Sequence, residues 1–290
     1  MHPAPSIILY TVLSGLGFGL LAFLGLGIPG VIHWTAFGYF SIAYVLAVVG
    51  LMSSAFHLGN PQRARKAFTQ WRSSWLSREA WLSVLTLSIM ALYGAGLVFF
   101  GSKWSLLGYL GSALSLATVF ATSMIYGQLK TVPRWNSWTT PALFLVLSLS
   151  GGAMLAGQII LTLVLLVFVG LLQVVAWIMG DSRFKEAGST QETATRLGDI
   201  GTVRAFEPPH TGNNYLLREM VHVVGRKHAQ TLRAVSLTLM VILPVILLSF
   251  GVSYATVGLS LISHIAGVLA SRWLFFAEAE HVVGLYYGKR

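Results

Sequence analysis

Two side chains of this sequence, His57 and Glu79, have the type and spacing to move protons. They stand in Phe56-His-Leu-Gly-Asn-Pro61 and Trp71-Arg-Ser-Ser-Trp-Leu-Ser-Arg-Glu79. Each marks the edge of a long apolar run: His57 closes one and Glu79 opens the next. The segment between them returns the chain to the same interface, so the pair can meet at one membrane depth. Histidine titrates near neutral pH, and beside a carboxylate it can exchange protons with a bound carrier. A quinone needs such a pair, because reducing its ring consumes protons together with electrons. The other assignment is capping, His57 covering the carbonyls of its helix end and Glu79 the amides of its own.

Neighbouring residues fill out the candidate site. Ser77 is positioned as the N-cap of the helix that carries Glu79, and Arg78 can orient Glu79 or bind a partner. Thr11 and Ser14 on the first apolar run can line a pocket or bond to their own helix. Arg63, Arg65, Lys66 and Arg72 can hold lipid phosphates or a partner's carboxylates. Trp71, Trp75 and Trp81 suit an interfacial aromatic belt. With no cysteine in the chain, disulfides, thiolate metal sites and iron–sulfur ligands are excluded, and a metal would need histidine or carboxylate. His33, His264 and His281 form no pair at matching depth, so neither haem nor another metal is expected.

What positions these residues is a set of long apolar segments. Hydrophobic residues make up 55% of the 290 and charged ones only 10%, and the mean hydropathy is +0.73. A soluble domain carries about 25% charged residues. Runs of about 20 apolar residues, without the alternation of barrel strands, predict membrane-crossing helices. The expected spans are Ser6–Ile28, His33–His57, Ser77–Phe100, Trp104–Tyr126, Thr140–Leu155, Gln158–Met179, Leu232–Phe250 and Tyr254–Phe276. The fold expected is therefore an all-α, eight-transmembrane-helix bundle, a single membrane domain over residues 1–290. The first run is long enough to be a retained span, and no basic segment precedes it.

Charge then orients the bundle. With this span count, every Lys and Arg among the 19 except Lys103, and all nine acids, fall on one face. The positive-inside rule makes that face cytoplasmic, with both termini on it, in an inner membrane. A net charge of +10 thus reads as basic loops at a lipid surface, and nucleic acid is not expected as a partner. The opposite face has only short connections. The one sizeable polar segment, about residues 181–230, contains Glu207-Pro-Pro-His-Thr-Gly-Asn-Asn-Tyr215. It is too polar for a core of its own and reads as a connector or as a docking surface for a soluble partner.

Four stretches, in order, closely resemble the membrane-anchor subunit of the dimethyl sulfoxide reductase family. They are Phe56-His-Leu-Gly-Asn-Pro61, Trp71 to Glu79, Glu207-Pro-Pro-His-Thr-Gly212 and Arg272-Trp-Leu-Phe-Phe-Ala-Glu-Ala-Glu-His-Val-Val283. The resemblance covers essentially the whole chain. It implies an eight-span, haem-free anchor that exchanges electrons with the quinone pool, ubiquinone or menaquinone. It also implies an iron–sulfur subunit and a molybdopterin catalytic subunit as partners, with those cofactors on the partners alone. The family's quinone-site histidine and glutamate fall on His57 and Glu79. Arg63, Arg65, Arg72, His210, Tyr215 and Arg272 are the expected docking residues. A cytoplasmic charged face looks more like the sulfite-oxidising branch, which passes electrons from sulfite to quinone. Three other readings stay open: the anchor of a quinol-dependent S-oxide or oxyanion reductase, a small-molecule transporter, and a purely structural anchor.

Overall fold

The computed structural model describes residues 1–56, 60–207, 212, 214–220 and 228–287, and among these it contains helices and no strand. Six helices come first: α1 (Pro5–Leu26), α2 (His33–Ala55), α3 (Trp75–Phe100), α4 (Ser105–Gly127), α5 (Thr139–Leu155) and α6 (Ile159–Glu186). Two single-turn helices follow, α7 (Gln191–Thr195) and α8 (Tyr215–Glu219). The chain then re-enters as α9 (Ala229–Phe250) and α10 (Tyr254–Ala277). Short 3-10 segments cover Pro61–Phe68 and Val282–Tyr287.

Among the described residues seven helices are long and apolar enough to cross a bilayer, and α5 is a shorter apolar helix. Its 17 residues rise only ~25 Å, less than the ~30 Å of hydrocarbon. Most of α5 is buried against other helices, so its length need not match the lipid. The turn that separates α5 from α6 is real: Gly157 sits at φ 69°, a conformation that suits a residue without Cβ. The chain start lies beside the end of α10, with Met1 N 2.7 Å from Ala279 O. An even number of crossings between them is what this requires.

The helices form two groups of four, α1–α4 and α5, α6, α9, α10, joined mainly by contacts of α1 with α5 and α10 and of α4 with α5. α1 is the centre of the bundle, and its glycines explain why. A Cβ on Gly19 would collide with the Ser148 carbonyl of α5, and one on Gly17 with the backbone of α2 at Ala43 and Ala47. Without Cβ the backbones touch, and dispersion between them replaces the hydrophobic drive that lipid cannot supply. The outer surface is as apolar as the core: Trp34, Met52, Phe99, Leu106, Ile160 and Ile178 are all exposed.

α9 departs from regular geometry. A π-helical turn covers Thr238–Ile242, and Pro244 follows it. Proline has no N–H to return to the preceding turn, so carbonyls there are left over. α10 takes them: Ser263 Oγ donates to Leu239 O at 2.7 Å, and His264 Nδ1 bonds Met240 O at 2.8 Å.

Two boundaries differ from expectation. α3 starts at Trp75 with Ser74 at its N-cap, so Ser77 is inside the helix and is not the cap. α6 continues past the expected membrane edge to Glu186. Its last turns are charged but still helical: basic Arg183 and Lys185 complement the carbonyl end, and Arg183 pairs with Glu186 at 3.7 Å.

Candidate functional site

Glu79 sits in the second turn of α3 and is 4% exposed. Its buried orientation follows from its stripe. Glu79, Ser83, Thr86, Met90, Tyr93 and Leu97 recur at helical spacing, and all are buried. That face meets α4 at the Thr86–Thr118 hydroxyl contact of 3.0 Å. Two hydroxyls are given to the Glu79 carboxyl: Tyr10 on α1 donates to Oε1, and Thr122 on α4 donates to the same oxygen at 2.6 Å. None of the described cations pairs with it. The other oxygen therefore keeps its capacity for a ligand or water. Ser83, one turn deeper on the same face, has a buried hydroxyl with no partner among the described residues.

A carboxyl in apolar surroundings, held by neutral hydroxyls and by none of the described cations, can carry a proton at low electrostatic cost. The arrangement is thus suited to taking up and releasing a proton. His57 lies outside the described residues, so the expected pairing with Glu79 is carried by the sequence alone.

The flanking residues have another task. Arg78 does not orient Glu79: its Nε donates to Trp71 O at 3.0 Å and its Nη2 to Arg72 O at 2.7 Å, while the guanidinium stacks 4.4 Å from the Trp75 ring. Ser77 Oγ donates to Ala67 O and accepts from Gln70 N. Trp81 Nε1 donates to Phe68 O at 3.0 Å. These three side chains staple the preceding segment onto α3. Beside them Phe68, Trp71, Trp75, Trp81 and Arg78 line an open groove of about 580 Å³. Arg63, Arg65 and Arg72 are exposed on that segment, and Tyr215 is exposed on α8. His210 lies outside the described residues.

Thr11 and Ser14 are buried and spend their hydroxyls on their own helix, on Ile8 O and Tyr10 O. Neither reaches Glu79. Arg272 corrects an expectation: it is 4% exposed and lies 3.6 Å over the Phe144 ring. Its place on α10, among helices rather than past their end, removes it from any docking surface. Sequence reasoning missed Tyr10 and Thr122. Their signal was depth, since each lies near the charged end of its helix, as Glu79 does.

A second polar cluster closes the same end. Arg134 bonds Asp181 at 2.5 Å and Glu278 at 3.3 Å. Arg233 bonds the same two acids, Asp181 at 2.6 Å and Glu278 at 2.8 Å. Two cations and two anions thus tie the α4–α5 loop, α6, α9 and α10 together with no net charge. On the opposite face Lys103 Nζ reaches Leu26 O at 3.4 Å and covers the end of α1. Next to the charged end, burial pushes the His281 imidazole below its ordinary value, and its Nδ1 accepts from Val283 N at 3.0 Å.

Comparison with known proteins places this architecture. A sulfite dehydrogenase subunit of Allochromatium vinosum is 32% identical to the chain over 326 aligned residues, 99% of both proteins. The anaerobic dimethyl sulfoxide reductase chain YnfH of Escherichia coli is 32% identical over 125 residues, 37% of this chain and 39% of that one. No solved structure matches. The sequence pattern of the DMSO reductase anchor subunit (DmsC) family spans residues 2–288. The chain, a multi-pass membrane protein, belongs to the DMSO reductase anchor subunit family.

Proposed function

We propose that the chain is the quinone-reactive anchor of a molybdopterin/iron–sulfur oxidoreductase, and that Glu79 exchanges the proton that accompanies electron transfer to quinone. The observation that carries this is the buried Glu79 carboxyl, held by Tyr10 and Thr122 and by none of the described cations. The bound quinone supplies the redox chemistry. The chain's own part is positional: Tyr10 and Thr122 fix one carboxyl oxygen, which leaves the other to face a ligand, and apolar packing excludes bulk water. The unpartnered Ser83 hydroxyl fits a further polar atom at that place. On the sequence reading, His57 hydrogen-bonds a quinone carbonyl and exchanges its proton.

The relative of matching length is a sulfite dehydrogenase subunit, and the charge asymmetry favours a cytoplasmic charged face. Sulfite is therefore the proposed electron donor, oxidised on a partner subunit, with electrons passing through an iron–sulfur subunit to this anchor. The chain is proposed as one membrane domain of an inner membrane, with both termini cytoplasmic and the segment 181–230 on the docking side. A reporter fused after Arg290 should read as cytoplasmic, and an external signal would overturn the orientation.

The test of function is Glu79→Gln in the assembled complex. Loss of general acid–base catalysis should slow quinone reduction ~100-fold, while oxidation of sulfite by ferricyanide, which needs only the partner subunits, keeps its rate. Quinone reduction at the wild-type rate would remove the assignment.

A further inference from the structure

Glu79 is buried, so a proton-exchanging role needs a route to solvent. Arg272 marks where one runs. This guanidinium is buried, and among the described residues its Nε has no hydrogen-bond partner and no carboxylate pairs with it. Such a cation is costly unless something answers it. The Phe144 ring face answers part, at 3.6 Å. Two cavities adjoin it as well. One, of about 40 Å³, is lined by Arg134, Thr140, Gln173, Ser271, Arg272 and Glu278. It starts at the four-membered charge cluster of the charged end, polar side chains form part of its wall, and it is large enough for water. A second, of about 10 Å³, continues past Arg272 between α1, α5 and α10.

Tyr126 links the neighbourhoods of Arg272 and Glu79. It lies one turn from Thr122 on α4, and Thr122 already bonds Glu79. Its ring packs on Phe144 at 5.9 Å and on Phe275 at 5.6 Å, the two aromatics that also flank Arg272. The hydroxyls that bond Glu79 come from Tyr10 and Thr122, so the Tyr126 hydroxyl is not committed to the carboxyl.

We propose that Tyr126 and Arg272 are the proton route of Glu79. Water enters between α5, α6 and α10, Arg272 orients it, and Tyr126 passes the proton to the carboxyl. The Tyr126 hydroxyl gives its proton to a Glu79 oxygen as it takes one from cavity water. One proton moves from the charged end to Glu79, Tyr126 ends unchanged, and no electron travels this way. For oxidation of a quinol the same relay runs in reverse. Tyr126 and Arg272 are thus positioning residues that act through Glu79. The inference rests on the role of Glu79 proposed above.

The test compares Tyr126→Phe, Arg272→Lys, Arg272→Gln and Glu79→Gln in the complex with its partner subunits. Reduction of a short-chain quinone analogue is followed across pH 6 to 8.5, beside the ferricyanide assay. The titratable groups around the route are Tyr10 on α1, Glu79 on α3, Tyr126 on α4 and His264 and Arg272 on α10, with Arg134, Asp181, Arg233 and Glu278 at its mouth, and α5 contributes none. Tyr126→Phe should lower kcat ~10-fold or more with KM for the quinone unchanged. It should also steepen the decline of rate with rising pH, because proton supply becomes limiting. Arg272→Lys should retain most of the rate and Arg272→Gln should lose it, both with normal ferricyanide activity. If Glu79→Gln is slow while Tyr126→Phe and Arg272→Gln run at the wild-type rate and pH profile, the route is wrong and the role of Glu79 stands. If Glu79→Gln itself is unaffected, the parent reading fails and takes the route with it.

Discussion

Replacing Pro244 and His264, singly and together, tests the origin of the α9 irregularity directly. Pro244 withholds a backbone N–H, and Met240 O is answered across the bundle by His264 Nδ1 at 2.8 Å. His264→Leu leaves that carbonyl buried and unpaired, which costs ~1–3 kcal/mol. Polar contacts between transmembrane helices average ~0.6 and reach ~1.7 kcal/mol in cycles. The fully buried His264 belongs toward the upper part of that range, so ~1.5 kcal/mol is expected for its hydrogen bond. Pro244→Ala restores an N–H within the helix's own reach of Met240 O. In that background His264→Leu should cost ~1 kcal/mol less than in the wild type. Detergent-driven unfolding of the purified complex, monitored by helical circular dichroism, reads the cycle. Equal costs of His264→Leu in both backgrounds, within ~0.3 kcal/mol, would refute the claim that proline strands this carbonyl.

Three more outcomes follow from packing and charge. Gly19→Val places side-chain atoms against the Ser148 carbonyl and should separate α1 from α5 at a cost well above the ~1–3 kcal/mol of ordinary overpacking; membrane accumulation measured by immunoblot should collapse, whereas Gly258→Val, with open space around it, should accumulate normally. Arg233→Gln strips Glu278 of its 2.8 Å partner and leaves it only the 3.3 Å contact with Arg134; with both side chains largely buried, ~3 kcal/mol is expected, more than for Arg134→Gln in the same unfolding assay. His281 has its folded pKa lowered by burial. The folded state then binds fewer protons than the unfolded one, so this stability is complete above the ordinary ~6.5 of histidine and is lost as pH falls through the lowered value. His281→Gln should flatten unfolding free energy below pH 6.5, and an unchanged slope would count against it.

The spans were legible in the sequence because lipid demands long apolar runs and the charges at their ends cannot cross. Hence seven of the eight expected spans end within a few residues of the helices observed. α6 is the exception, since hydropathy marks where the membrane stops and not where hydrogen bonding stops. Arg272 was misplaced for a related reason. A charge near a helix end reads as exposed, and only the packing of Phe144 and Phe275 around it makes it interior.

Which side chains meet was much harder to read, and the reason lies in the solvent. In water an apolar stripe declares the inner face of a helix. In lipid both faces are apolar, so rotation about the axis has no such mark. The polar residues carry the information instead. In α3 Glu79, Ser83 and Thr86 share one stripe, in α4 Ser115, Thr118 and Thr122 share another, and in α10 Ser260, His264 and Arg272 share a third, all of them buried. A hydroxyl facing hydrocarbon would stay unsatisfied or return to its own helix, so helical spacing of scattered Ser, Thr and charged residues points inward. With that inverted rule, Thr122 and Tyr126 fall on the face of α4 that meets Glu79. Tyr10 still escapes it. On α1 almost every side is buried, and the glycine contacts with α2 and α5, not polarity, decide which way Tyr10 points.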